Sequence, residues 1–168
     1  MTDDETVRIH ATSVALGEAV RRFGCTEDVA VLILGEPGAG KSDLALRLIA
    51  AGGCLIADDQ TILRVLEGVL HAECPKTIEG LFEIRGAGIV RLEHAGPRRV
   101  ALAVKLEAHA RHERLPSAAE YRPPPPLRPS KFPPLIALDP MAASAAAKVA
   151  AAAAASSTGR FVAGAAAL

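Results

Sequence analysis

The sequence predicts an α/β domain of phosphate-loop type with a mixed sheet, and three adjoining observations carry that prediction. Residues 29–34, Val-Ala-Val-Leu-Ile-Leu, form an apolar run of strand length. They lead into Gly35-Glu36-Pro37-Gly38-Ala39-Gly40-Lys41-Ser42, which is the pattern G-x-x-x-x-G-K-S. Residues 43–50, Asp-Leu-Ala-Leu-Arg-Leu-Ile-Ala, then have helical composition. Strand, glycine loop and helix in that order are the setting in which this pattern binds phosphate.

Each residue of the loop has a chemical reason. Glycines let backbone N–H groups close around phosphate oxygens, since no Cβ obstructs the approach. The helix N-terminus adds the positive end of its dipole. Lys41 is placed to reach the β- and γ-phosphates, and the Ser42 hydroxyl to ligate Mg²⁺.

A length of 168 residues fits one domain. Half of the residues are hydrophobic but only 3% are aromatic, so the core must be built of Leu, Val, Ile and Ala. The formal net charge is zero, which argues against a broad nucleic-acid or anionic-membrane surface. The start, Met-Thr-Asp-Asp-Glu, is acidic and unlike a signal peptide, and no apolar run has the character of a membrane span. Cys25, Cys54 and Cys74 are far apart and form no C-x-x-C, so buried thiols are expected. These features together predict a cytoplasmic protein.

Residues 6–16 alternate loosely and read as a strand carrying His10. Residues 17–28 are a polar insertion with a short helix over 18–23. The helix after the loop should stop at the pair Gly52-Gly53, which suits a C-terminal cap. Residues 54–57 are a short buried strand ending at Asp58-Asp59. Residues 61–66 and 69–72 read as a hairpin around Glu67-Gly68. Residues 76–90 mix glycines and charges with apolar residues, which suggests a close-packed functional loop. A strand is expected over 100–106, and residues 107–115 are charged and helical or irregular. The proline-rich stretch 123–134 cannot be regular helix. Residues 135–138 are a last strand. From Asp139-Pro140 the chain is mostly Ala and should be helical to about Ala155. A loose end follows over 156–168.

A phosphate loop needs a carboxylate. Asp58 and Asp59 follow Lys41 by seventeen and eighteen residues, one helix and one strand later. Such a connection can return a strand end beside the loop in a parallel sheet. One aspartate can then help hold Mg²⁺, and the other can take a proton from an attacking hydroxyl.

The loop, the Asp pair and Phe82-Glu83-Ile84-Arg85-Gly86-Ala87-Gly88-Ile89, in this order, resemble bacterial HPr kinase/phosphorylase. The resemblance runs from about His10 to Leu138. It implies a core shared with phosphoenolpyruvate carboxykinases. It also implies phosphorylation of a serine of the phosphocarrier protein HPr with ATP or pyrophosphate. The same enzyme reverses the reaction with inorganic phosphate, releasing pyrophosphate. By resemblance, residues 35–42 bind the donor phosphates, and Ser42 and Glu83 ligate Mg²⁺. Asp59 is the acid/base aspartate, with Asp58 beside it. His10 matches a catalytic histidine, given an insertion over 17–28, and Arg114 a catalytic arginine. Residues 126–131 resemble a loop tied to the reverse reaction, but carry Ser130 and Lys131 where Gly and Arg are expected, and Lys lacks Arg's bidentate fork.

Residues 1–141 are thus expected to form the catalytic domain, with an Ala-rich helix and tail over 142–168. The length leaves no room for the extra N-terminal domain of longer members, as in the short alphaproteobacterial form. The resemblance also implies a hexamer, and HPr rather than nucleic acid or membrane as partner. Two alternatives stay open from the residues alone: a phosphate-loop kinase of a small molecule, and a nucleotide-sensing module without catalysis.

Overall fold

A computed structural model of the chain describes residues 5–109 and 111–164. The first expected strand is two, β1 (Thr6–His10) and β2 (Thr12–Ala15), broken at Ala11. A short helix α1 (Gly17–Arg21), strand β3 (Ala30–Leu34) and helix α2 (Lys41–Ala50) follow. Next come β4 (Cys54–Ala57) and the hairpin of β5 (Gln60–Leu66) and β6 (Val69–Glu73). A second hairpin is made by β7 (Leu81–Ile84) and β8 (Gly88–Arg91). Strand β9 (Arg98–Leu106), strand β10 (Leu135–Leu138) and helix α3 (Ala145–Ser157) complete the described strands and α-helices.

Eight strands form one mixed sheet in the order β1-β5-β6-β9-β3-β2-β4, with β10 also paired to β9. Strand β9 is the hinge of this arrangement. Arg98 and Arg99 pair antiparallel with β6, residues 103–106 pair parallel with β10, and β3 runs parallel along the other edge. Both β3 and the middle of β9 are near-continuous apolar runs, as strands covered on both faces must be.

The end of β4 returns beside the loop as expected, with Asp58 bonded to Ser42, but β4 is not the parallel neighbour of β3. Strand β2 lies between β3 and β4, antiparallel to both. The unit β3-α2-β4 still places both carboxyl ends on one side of the sheet. The N-terminal end of β2 comes to the same place.

Two apolar layers hold the sheet. On one face Leu44 and Leu48 of α2, Val149 and Ala153 of α3, Val20 of α1 and Phe82 pack on Val31, Ile33, Leu102 and Val104. On the other, Leu32, Ile56, Leu63, Leu70, Ala103 and Leu127 pack together. Residues 17–28 are therefore more than a polar insertion, since Ala19, Val20 and Cys25 are buried. Helix α2 ends as expected: Gly52 has φ +106°, and the amides of Gly52 and Gly53 donate to Ile49 and Leu48. That is the paired bonding of a Schellman cap.

Helix α3 begins at Ala145, later than expected, after a turn over residues 139–144. Ala145, Val149 and Ala153 form one buried stripe at i, i+4, i+8. Ser156 and Ser157, expected in a loose end, are instead tied down. Ser156 Oγ donates to the Ala101 carbonyl at 2.8 Å, and Ser157 Oγ to Glu27 Oε2 at 3.0 Å. Residues 165–168 of that tail lie outside the described residues.

Glu27 anchors this end of α3 by taking two hydrogen bonds from Arg99, at 2.8 and 2.6 Å. The Arg99 hydrogen bonds hold its carboxyl below the ordinary carboxylate range, against the opposing effect of burial. A lowered folded value means the contribution is complete above the unfolded value and is lost as pH falls through the folded one. Glu27→Gln should therefore melt below the wild type near pH 7. The gap should be no more than about 4 °C, because half-exposed pairs contribute ~0.2–1 kcal/mol. It should close below the carboxylate range. Melting curves over a pH series check this, and a gap that does not depend on pH would mean the pair contributes only by packing.

Candidate functional site

The carboxyl ends of β3 and β4, the N-terminus of α2 and the β7–β8 hairpin surround a cleft of about 440 Å³. Its lining includes Pro37, Gly38, Gly40, Lys41 and Ser42 of the loop, the pair Asp58-Asp59, and Phe82 to Arg85 of the hairpin.

The loop adopts the shape its glycines allow. Gly40 has φ +97° and stands as the N-cap of α2. A Cβ on Gly35 would lie 3.0 Å from the Ala39 Cβ and 3.4 Å from that of Leu106, so only glycine fits without displacement. No side chain caps α2. Its first-turn amides therefore keep their donors for an anionic ligand. Lys41 is buried and its ammonium donates to the Gly35 and Glu36 carbonyls at 2.8 and 3.0 Å. An ammonium has three donors, so one remains uncommitted.

Asp58 is the most heavily bonded side chain of the cleft. Its Oδ1 accepts from Ser42 Oγ at 2.8 Å and from Thr12 Oγ1 at 3.1 Å. Its Oδ2 accepts the Glu83 backbone N–H at 3.3 Å. Asp59 differs. Its φ is +65°, a left-handed conformation uncommon outside glycine. Its carboxylate meets His10 Nδ1 at 3.1 Å. His10 is the last residue of β1 and pairs with Gln60 in β5, which brings it to Asp59 from far ahead in the chain. The sequence named His10 and Asp59 separately; the β1–β5 ladder joins them.

Glu83 lines the cleft on the outer face of β7, exposed, while Phe82 beside it is buried and anchors the hairpin in the core. The tip is not the close-packed loop expected for residues 76–90. A Cβ on Gly86 or Gly88 would meet nothing within 4 Å. Arg85 lines the cleft. Arg114, expected in the site, does not: it lies in an exposed irregular segment and is absent from the cleft wall. Residues 126–131 are also elsewhere, with Ser130 N–H donating to the Gly68 carbonyl at 2.7 Å beside the β5–β6 turn. Thr12 is the site residue that sequence reasoning missed. Only its position two residues after His10 could have signalled it.

The charges suit a cation carried with a phosphate ligand. Asp43, Asp58, Asp59 and Glu83 face Lys41 and Arg85, four negative groups against two positive. No group of three or more His, Cys, Asp or Glu among the described residues is arranged to hold a metal by itself. Mg²⁺ commonly binds through one or two carboxylates together with substrate phosphates, and the Ser42–Asp58 pair fits that role. Among the described residues no helix is long and apolar enough to cross a membrane.

A family model described as the HPr Serine kinase C-terminal domain matches residues 20–118. A protein named HPr kinase/phosphorylase from Bordetella pertussis is 40% identical over 97 residues, 51% of this chain and 32% of its own. One of the same name from Clostridium kluyveri is 41% identical over 80 residues, 46% of this chain and 26% of its own. The chain thus spans between 21% and 32% of the length of curated relatives such as these. A solved structure, the Hpr(Ser) kinase/phosphatase from Coxiella burnetii, superposes with a TM-score of 0.61 at 25% identity and covers 79% of both chains.

Behind the acidic pair, Thr61 Oγ1 donates to the Ala11 carbonyl at 3.0 Å and shares a 3.0 Å hydrogen bond with Ser13 Oγ, all fully buried. Thr61→Val keeps the shape but leaves the Ser13 hydroxyl and that carbonyl unpaired. Urea unfolding should show a loss of about 1–3 kcal/mol. Adding Ser13→Ala should recover part of it, because one orphaned group is then gone. Additive losses in the double variant would show that the two hydroxyls are not coupled.

Proposed function

We propose, from the premise that this chain belongs to the HPr Serine kinase C-terminal domain family, that it transfers phosphate to and from a serine of HPr. The observation that carries the reading is the division of labour between two neighbouring carboxylates. Asp58 is bound to Ser42 on the phosphate side, and Asp59 is bound to His10 at the open side.

Lys41 and the α2 amides would hold the donor phosphates, and Ser42 with Asp58 would hold Mg²⁺. Glu83, across the cleft, is a further candidate ligand. Bound there, Mg²⁺ supplies positive charge that offsets the charge of the transferred phosphoryl. In the forward direction the serine oxygen bonds to the γ-phosphorus of ATP, or to a phosphorus of pyrophosphate, and the bond to the leaving phosphate oxygen breaks. Asp59 takes the serine proton, and His10 orients its carboxylate. In the reverse direction an oxygen of inorganic phosphate bonds to the phosphoserine phosphorus. The serine oxygen leaves, Asp59 returns the proton, and pyrophosphate is released. One carboxylate serves both directions by microscopic reversibility. The reading carries with it a cytoplasmic setting and, by resemblance, a hexamer.

The test is incubation of the chain with purified HPr, Mg²⁺ and either ATP or pyrophosphate, read by mass spectrometry. A gain of one phosphate on one serine is expected, reversed by added inorganic phosphate. Transfer to a small molecule but not to HPr would overturn the substrate, and nucleotide binding without transfer would overturn the activity.

Variants check the assignments. Lys41→Ala should remove nearly all transfer in both directions while the fold is kept. Asp59→Asn should slow both directions by comparable factors of ~10²–10⁴, with nucleotide binding little changed. Asp58→Asn should instead raise the Mg²⁺ requirement, and Glu83→Gln should do so more mildly. Rates of both reactions measured across Mg²⁺ concentrations separate these outcomes. If Asp58→Asn and Asp59→Asn behave alike, the two carboxylates do not divide the work.

A further inference from the structure

Four buried polar side chains stand out among the described residues: Thr12, Ser13, Lys41 and Thr61. All four gather at or behind the cleft, in a protein whose buried residues are otherwise apolar. Lys41 belongs to the loop. Ser13 and Thr61 satisfy each other and the Ala11 carbonyl. Thr12 alone spends its hydroxyl on the two aspartates.

Its position explains how. Thr12 opens β2 directly after the break at Ala11, paired with Ile33 near the end of β3. It is 0% exposed, so its hydroxyl has no recourse to water. That hydroxyl donates to Asp58 Oδ1 at 3.1 Å and accepts the Asp59 backbone N–H at 3.3 Å. The direction of both bonds is fixed, because an amide N–H can only donate and a carboxylate only accepts. Beside it the Ala11 N–H donates to the Asp59 carbonyl at 3.2 Å. Asp59 is thus held by Ala11 and Thr12 through both its carbonyl and its backbone N–H. That is the restraint a non-glycine residue at φ +65° requires.

We propose that Thr12 is a positioning residue of the site. One hydroxyl fixes the rotamer of Asp58, leaving Oδ2 facing the hairpin, and holds Asp59 in the left-handed conformation that presents its carboxylate to His10. This rests on the reading of Ser42 and Asp58 as the Mg²⁺ side of the cleft. Valine has threonine's shape and equal liking for a strand, but no hydroxyl. In the Val variant the Asp58 carboxylate loses one of its two Oδ1 donors and the Asp59 amide loses its acceptor.

The experiment measures Mg²⁺-dependent binding of ADP by calorimetry in the whole chain, for wild type, Thr12→Val, Thr12→Ser and Thr12→Ala. Melting curves and transfer rates to HPr accompany it. Loss of a partner that orients a metal-side ligand typically costs 10–100-fold in metal affinity or rate. Thr12→Val should therefore raise the half-saturating Mg²⁺ about 10-fold or more, and change metal-free ADP affinity by less than about two-fold. Thr12→Ser keeps the hydroxyl and should restore most of the Mg²⁺ dependence, whatever its melting temperature. A role confined to packing would lower the melting temperature and leave the Mg²⁺ curve in place, which overturns the proposal. Should Thr12→Val not fold, the Ser and Ala variants differ by the hydroxyl alone, and equal Mg²⁺ curves for those two overturn it as well. Wild-type ADP binding that does not respond to Mg²⁺ also overturns it. Wild type that binds Mg²⁺ with ADP but never phosphorylates HPr defeats the proposed function and leaves the Thr12 comparison readable.

Discussion

The site depends on one carboxylate, that of Asp58. Through three hydrogen bonds it ties together the start of β2, the first turn of α2 and the backbone of β7. These segments are joined to one another by no short loop. Each comes to the cleft by its own route through the sheet, and the carboxylate is where the routes meet. A carboxylate suits this office because it accepts up to four hydrogen bonds and donates none. Every donor that reaches it is pulled to the same point. It also brings negative charge to a loop built to receive anions. That conflict is eased if the anion arrives with a cation.

Strand β2 is the structural reason the arrangement works. Had β4 paired with β3, Asp58 would stand next to the loop with nothing between them. With β2 inserted antiparallel, the cleft gains a strand that begins where its neighbours end. The bend at Ala11 then lies against the bend at Asp59, and the two are stitched by Ala11 N–H, Thr12 Oγ1 and the buried Ser13–Thr61 pair. A left-handed non-glycine residue costs roughly 1–2 kcal/mol. That cost is borne where hydrogen bonds on several sides leave the chain no cheaper conformation, and it turns Asp59 away from Asp58 and toward His10.

What the sequence disclosed and what it withheld divide along a physical line. Local chemistry was legible. Residues 35–42 carry their own pattern, Gly52-Gly53 their own cap, and Glu67-Gly68 their own turn, and all three appear in the expected places. The Asp pair was legible as a strand end after a helix. Pairing across long separations was not. Nothing in residues 6–16 announces that β1 joins β5 while β2 joins β3 and β4, because alternation gives a strand but not its neighbours. Thr12 was missed for that reason, and a threonine in a strand draws no attention. Resemblance of a short segment puts Arg114 in the site, whereas residues 111–119 run in an exposed irregular path. The hairpin glycines suggest tight packing, and Gly86 and Gly88 instead have open space around them.

The C-terminal part of the chain bears on the same loop from behind. Arg47, one face of α2 away from the phosphate side, donates to the carbonyls of Pro140 and Ala142 and pairs with Asp43 at 3.1 Å. Its side chain fastens the 139–142 turn to α2. Pro140 thereby lies over Gly40, where a Cβ would be in ordinary van der Waals contact with it at 3.5 Å. The N-cap of α2 thus neighbours a turn nearly a hundred residues later, which Arg47 fastens to the same helix. Helix α3 continues from that turn and lays its alanine stripe on the same core that carries Leu44 and Leu48. Small side chains let α3 approach closely, and close approach keeps the turn, and through it the loop, from drifting. An alanine-rich segment that looks featureless in sequence is therefore part of the frame that holds a phosphate loop in register with its carboxylate.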